Sequence, residues 1–277
     1  MTRVVLTAGF DRSPHVVALA TLLARDGIAV VGVLVVGSAN PARIRAYIRQ
    51  RGFGFIVSAV RRWLGGVSFE SAGSPLREYL QKNSVEERSL RRWCKRKRVP
   101  YRVVSSLDDA HALSFVRTAQ ADGVLYGGGG VLETAFIDAT RGRILNAHHG
   151  PLPEIRGMNA CEWSLLLGIE PAVSIHYIER GIDTGPLVER VPIHVRSEAT
   201  IGALREQCTV AGIEGLRRNA RALQEPLPRP HPLREAHKQV FTLAPALREI
   251  LEERLRARRS GSVWNDSQKE RPYETSS

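Results

Sequence analysis

The sequence predicts an α/β fold with a Rossmann-like open, mostly parallel sheet and helices on both faces. Three observations point there: short Val- and Leu-rich runs bounded by glycine, an amphipathic helical period between them, and the return of that alternation beyond residue 100. Arg3–Thr7 (RVVLT) and Ile28–Val36 (IAVVGVLVV) are almost continuously apolar, as strands covered on both faces must be. Between them, Ser13 stands at the N-cap position of a helix carrying Val16, Val17, Leu19, Ala20, Leu22 and Leu23. Residues 41–98 interrupt the order with a basic helical insertion. Its arginine stems can cover apolar surface while Trp63 and Trp93 tuck against the body, and the alternative is a surface for an anionic substrate, partner or membrane. The alternation resumes with a strand at Tyr101–Val104, a helix over Asp108–Ala121, a strand at Gly123–Tyr126 and a glycine turn at Gly127–Gly130. A short helix at Glu133–Asp138, strands at Arg143–Asn146, Ala172–Glu179 and Leu187–Ile193, and a long helix from Thr200 to Leu223 complete it. The Pro-rich stretch 225–236 reads as a linker, Phe241–Arg256 as a helix, and 258–277 as a disordered polar tail. The expected organisation is therefore a catalytic domain over 1–195, a helical C-terminal extension over 196–257, and the tail.

Composition narrows the class. A chain of 277 residues with 43% hydrophobic and 25% charged residues is not disordered throughout and can bury a sizeable core. No run reaches the roughly 18 to 20 apolar residues of a membrane span. The opening MTRVVLTAGF reads as a first strand rather than a signal peptide. Cys94, Cys161 and Cys208 are odd in number and unrelated in spacing, which suggests neither a disulfide framework nor a zinc site. A reduced, cytoplasmic protein is expected. The net charge is +12, with 35 of the 40 cations arginine, and such a surface suits a phosphate-bearing partner. Aromatic residues at 6% provide no stacking stripe for single-stranded nucleic acid.

One segment carries chemistry. Asn146 and His148 lie two apart at a strand exit, so both side chains project to one face. Gly150-Pro151-Leu152-Pro153 then forces an extended turn. Asp183 follows in Gly181-Ile182-Asp183-Thr184-Gly185, where flanking glycines permit a tight loop close to a ligand. An amide donor, an imidazole and a carboxylate converging at a sheet's C-terminal edge suit acyl transfer. Asn146 would donate to the oxyanion of a tetrahedral intermediate, a role worth about 3 kcal/mol. His148 would relay a proton between attacking amine and leaving group, and Asp183 would orient the imidazole or hold a water. His176 reads as structural or as a wall behind the site. A metal held by His148, His149, His176 and Asp183 is disfavoured, since no helical ligand pair or C-x-x-C supports it.

Asn146-x-His148, Leu152-Pro153, Arg156-Gly157, Ile175-His176 and Asp183-x-Gly185 together resemble the signature of the folate-dependent formyltransferases, over roughly residues 100 to 195. That family includes methionyl-tRNA, glycinamide ribonucleotide and sugar N-formyltransferases. The resemblance implies Asn146, His148 and Asp183 as the catalytic trio and 10-formyltetrahydrofolate as formyl donor. It places the pterin against Gly129, Gly130, Val131 and Leu132 on one side and Ile178, Glu179, Arg180, Gly181 and Ile182 on the other. Gly127–Gly130 by itself fails G-x-G-x-x-G, because position 132 is Leu. Two departures stand out: Gly150-Pro151 replaces the usual Ser-Leu, removing a hydroxyl, and His149 replaces a small residue. His149 reads as outward-facing or turn-stabilising, and could reach the substrate.

For the acceptor, Arg12 at a helix N-terminus, His149, Pro153, Arg156 and Gly157 are the candidate contacts. After Ile193 no series of alternating β segments announces the barrel of the tRNA enzymes, and Gly9-Phe10-Asp11-Arg12-Ser13 lacks the second glycine of a phosphate loop. The expectation is formyl transfer to a primary amine on a small, phosphate-bearing acceptor such as a nucleotide-linked amino sugar. Open alternatives are a methionyl-tRNA formyltransferase without the barrel, a formyltetrahydrofolate hydrolase, and a non-enzymatic module binding folate or nucleic acid. A homodimer is compatible with the sequence.

Overall fold

Strands bounded by glycine and helices with one apolar stripe can bury both only by layering, and the chain does so. The computed structural model describes residues 1–37, 73–195, 200–229 and 237–259. Residues 41–72 of the expected insertion, with Trp63, residues 230–236 of the Pro-rich stretch and residues 260–277 of the tail lie outside the described residues.

The described strands are β1 (Arg3–Ala8), β2 (Ala29–Val36), β3 (Tyr101–Val104), β4 (Gly123–Gly127), β5 (Ile144–His148), β6 (Ile155–Gly157), β7 (Ala172–Tyr177), β8 (Leu187–Pro192) and β9 (Lys238–Val240). Seven form one open sheet in the order β3-β2-β1-β4-β5-β7-β8, and β6 pairs with β9 separately. The first five run parallel, while β7 is antiparallel to both its neighbours. The predicted class is therefore what the chain adopts.

The helices are α1 (Pro14–Arg25), α2 (Pro75–Lys82), α3 (Leu90–Lys97), α4 (Ala110–Thr118), α5 (Thr134–Ala139), α6 (Ala160–Leu166), α7 (Ile201–Asn219) and α8 (Pro245–Arg259). One face of the sheet is covered by α1 and α7, with Leu6, Leu19, Leu125, Leu145, Ile175 and Leu216 in contact there. The other is covered by α4 and α5, around Val5, Leu34, Val124, Phe136 and Ile144. Among the described residues no helix is long and apolar enough to cross a membrane.

Several boundaries differ from the sequence reading for identifiable reasons. Ser13 sits at the N-cap of α1, but its hydroxyl pairs with the His15 imidazole rather than with a backbone N–H. The strand expected to end at Asn146 continues to His148, because pairing with β7 extends it. The long helix turns to a 3-10 helix at Ala220–Gln224. The last helix begins only at Pro245, and Lys238–Val240 ahead of it is a strand. In the described part of the insertion, Trp93 is 1% exposed against the main core. The β1–α1 loop is tied to α3: Asp11 accepts from the Arg91 N–H at 2.8 Å, the Ser89 hydroxyl at 2.8 Å and the Tyr101 hydroxyl at 3.0 Å.

Trp93→Ala should cost about 3–5 kcal/mol, the range for emptying a buried aromatic site. Urea unfolding checks this, and a loss below about 1 kcal/mol would contradict the placement of Trp93 in the core.

Candidate active site

The C-terminal ends of the parallel strands form one edge, beside the point where the strand order reverses between β1 and β4. Crevices at such edges are where open α/β sheets bind ligands. On β5, Asn146 and His148 share a face. The antiparallel register sets His176 opposite Asn146 and Ser174 opposite His148.

Burial then dictates the pairing. The His176 Nδ1–H donates to the Tyr177 carbonyl at 2.8 Å, which leaves Nε2 with its lone pair. That nitrogen accepts from the Asn146 side-chain amide at 3.1 Å. Burial pushes His176 down to about 4, against the pull of Asp183, so near neutrality it is a fixed acceptor. The second Asn146 amide hydrogen is left for another partner.

His148 is 7% exposed, and both its ring nitrogens face oxygens. Nε2 lies 3.1 Å from the Ile155 carbonyl, which can only accept, so this nitrogen carries hydrogen. Nδ1 lies 3.3 Å from Asp183 Oδ2, and in the neutral ring this is the nitrogen with the lone pair. Burial pushes the His148 imidazole down while Asp183 and the Ile155 carbonyl pull it up, and burial wins. Asp183 Oδ2 also accepts the Gly157 N–H at 2.9 Å. Among the described residues, Oδ1 faces His176 Nε2 at 3.7 Å.

The loop that delivers Asp183 is fixed by sterics. Asp183 itself has φ of +51°, and a Cβ at Gly185 would sit 1.9 Å from the Tyr177 carbonyl oxygen. Arg156 donates to the Ile182 carbonyl at 3.2 Å, so this expected acceptor contact also holds the Asp183 loop. At the turn after β5, a Cβ on Gly150 would fall 2.7 Å from His148 Nε2. The hydroxyl that the turn lacks comes from β7: Ser174 Oγ donates to the Gly150 carbonyl at 2.7 Å and accepts the Leu152 N–H at 2.9 Å. Pro153 follows through a cis peptide bond.

The expected trio thus converges, with His176 as a fourth member. Its signal was present in the sequence, because Ser174 and His176 alternate on one strand. Gly157, expected at the acceptor, serves Asp183 through its backbone. His149 corrects the outward-facing expectation. Alternation carries it to the opposite face of the sheet from His148, toward α1 and α7 near His15 and Arg205. There burial, reinforced by His148, His15 and Arg205, pushes it down to about 4. Arg12 is exposed on the β1–α1 loop. Of the two segments expected around the pterin, Leu132 and Arg180 line one open cavity of about 700 Å³ with Thr134, Ile137 and Asp138. Gly129 and Gly130 both adopt positive φ, Val131 is 80% exposed, and Ile182 is 42% exposed. Ile178 is anchored through its N–H to the Ile144 carbonyl at 2.8 Å, and Glu179 and Gly181 lie on the same connection to Asp183. Among the described residues no group of three metal-binding side chains is placed to hold an ion.

A family model described as formyl transferase matches residues 5–219. Methionyl-tRNA formyltransferase of Ruegeria pomeroyi is 33% identical over 129 residues, covering 46% of this chain and 43% of the relative. The match therefore spans under half the length of that relative. Among solved structures, the phosphoribosylglycinamide formyltransferase of Bacillus halodurans aligns with a TM-score of 0.53 at 16% identity, covering 81% of this chain and 96% of its own. A sugar N-formyltransferase from Shewanella aligns with a TM-score of 0.55 at 11% identity, covering 92% and 88%. At such identities the likeness is one of fold.

The low imidazole values make stability pH-dependent. His149 and His176 bind protons less readily folded than unfolded, so stability is full above about pH 6.5 and falls as pH drops toward 4. Each histidine contributes a slope of up to about 1.4 kcal/mol per pH unit. Urea unfolding at pH 7.5, 5.5 and 4.5 should show this fall, and His149→Gln should flatten it. An unaltered slope in His149→Gln would refute the buried, neutral assignment.

Proposed function

The chain belongs to the formyl transferase family, and on that premise we propose that it transfers a formyl group from 10-formyltetrahydrofolate to a primary amine of a small, phosphate-bearing acceptor. A nucleotide-linked amino sugar is the acceptor class this reading favours. The observation that carries it is the convergence of Asn146, His148 and Asp183 on one sheet edge, with each side chain held by at least one hydrogen-bond partner. The bound donor supplies an activated formyl carbon for direct attack, so the chain needs no covalent nucleophile of its own. Asn146, fixed through His176, presents its remaining amide hydrogen to the negative charge that grows on the formyl oxygen. His148 Nδ1, unprotonated because burial favours the neutral ring, lies beside Asp183 and can pass the proton that the carboxylate takes from the amine to the leaving nitrogen as it accepts the bonding electrons. Asp183 Oδ1, the less engaged carboxylate oxygen, is the acceptor for the proton lost by the attacking amine, directly or through a water. The cavity of about 700 Å³ reached by Leu132 and Arg180 lies between the two segments assigned to the donor, which supports the fit of a flat ring system there. For the acceptor, support comes from the net charge of +12 and from fold likeness to a sugar N-formyltransferase over 92% of the chain.

Purified protein given 10-formyltetrahydrofolate and a panel of nucleotide-linked amino sugars should release tetrahydrofolate only when an amine is present. Asn146→Ala and His148→Ala should each lower kcat by roughly 100-fold or more. His176→Leu should lower kcat by roughly 10-fold with donor KM preserved, because it removes the partner that aims Asn146. Release without amine would make the protein a hydrolase, and formylation of aminoacyl-tRNA alone would overturn the small acceptor.

A further inference from the structure

Strand β6 has three residues, and each one holds a part of the candidate site. The Ile155 carbonyl accepts from His148, Arg156 donates to the Ile182 carbonyl, and the Gly157 N–H donates to Asp183. The strand itself lies outside the main sheet. Its sheet partner is β9, in the register Ile155 with Lys238, Arg156 with Gln239 and Gly157 with Val240. A three-residue pair has little stability alone, so its order comes from the packing around it.

That packing belongs to the C-terminal segment. The Lys238 N–H donates to the Glu154 carbonyl at 2.8 Å, and the Met158 N–H donates to the Val240 carbonyl at 3.0 Å. Gly157 has φ of +100°, and a Cβ there would lie 2.1 Å from the Val240 oxygen, so the two backbones touch. Val240 packs with Ile155, Ala160, Trp163 and Ile169. Beyond it, the Trp163 indole N–H donates to the Phe241 carbonyl at 2.9 Å, and the Leu243 N–H donates to Asn159 Oδ1 at 3.0 Å. Leu243, Leu251 and Leu255 then seat α8 against Ile201, Trp163 and Leu165.

We propose that β9 is a positioning element for the reaction, which clamps β6 and through it sets the distance and ring orientation of the His148–Asp183 pair. The C-terminal segment is on this view required for turnover without touching substrate. The proposal rests on formyl transfer only for its kinetic arm. Misplacing a reacting group by about 1 Å can cost 100-fold, whereas a remote core defect of equal size lowers stability alone.

The test uses the full chain with Val240→Gly, which keeps the β9 carbonyl but removes its packing, and with Trp163→Phe, which deletes the donor to Phe241. Trp93→Phe serves as a remote destabilised control. The expected result is a kcat loss of roughly 10- to 100-fold in Val240→Gly and a smaller loss in Trp163→Phe, with donor KM little changed and Trp93→Phe near wild type. Independently of turnover, the buried ring N–H proton of His148, identified by its loss in His148→Gln, should be a slowly exchanging NMR resonance. It should broaden away in Val240→Gly and persist in Trp93→Phe. The proposal is overturned if Val240→Gly and Trp163→Phe both keep wild-type kcat per folded molecule, or if Trp93→Phe loses as much. Should the wild type show no turnover with any acceptor, the function reading fails alone. The His148 resonance then decides, and its persistence in Val240→Gly overturns the clamp.

Discussion

The antiparallel pairing of β5 with β7 is the constraint on which the rest of the site depends. It sets two polar residues of one strand against two of the other, Asn146 across from His176 and His148 across from Ser174. His148, Ser174 and His176 are buried and Asn146 is half-buried, so their polar atoms take partners from the protein: Asn146 pairs with His176, His148 with Ile155 and Asp183, and Ser174 with Gly150 and Leu152. A slip of one residue would set Ile175 or Tyr177 opposite Asn146 and leave the amide without its acceptor. The register is therefore enforced from both faces, by apolar packing of Val173, Ile175 and Tyr177 on one side and by hydrogen bonding on the other.

Burial also decides what kind of chemistry these groups can perform. Three imidazoles crowd the sheet edge, and desolvation lowers all three. Among the described residues, Asp183 lies 3.3 Å from His148 and 3.7 Å from His176, so His148 Nδ1 is the nearer ring nitrogen for a proton arriving at the carboxylate. Backbone carbonyls complete the assignment. Tyr177 fixes which nitrogen of His176 is protonated, and Ile155 does the same for His148. Two peptide oxygens thus determine which side chains donate and which accept.

Much of this was legible in the sequence. Glycine-bounded apolar runs identify the parallel strands, and the spacing of Asn146 and His148 puts them on one face by alternation alone. The trio was readable because its members sit in local motifs. What escaped is non-local. The β6–β9 pair joins short segments far apart in the chain, and neither has a periodicity long enough to announce a strand. The α6 helix was missed although Asn159 and Glu162 stand at its N-cap and third positions, because seven residues are too few to establish a helical period. His149 was misplaced although the alternation rule was in hand, since the rule says which side of the sheet a residue takes and not what covers that side. The replacement of a turn hydroxyl by Ser174 is likewise a feature of three dimensions, because the two segments meet only through strand pairing.

The pairing of Ile155 with Lys238 has a consequence for how the molecule is made. Synthesis runs from the N-terminus, and N-terminal units fold first. Every strand of the main sheet and the helices α1, α4, α5 and α7 precede Lys238 in the chain and are synthesised before it. The segments that build the hydrophobic layers are thus complete before the strand that organises the reacting pair has been translated. Foldedness and readiness draw on different stretches of this chain, and the stretch that serves readiness is made last.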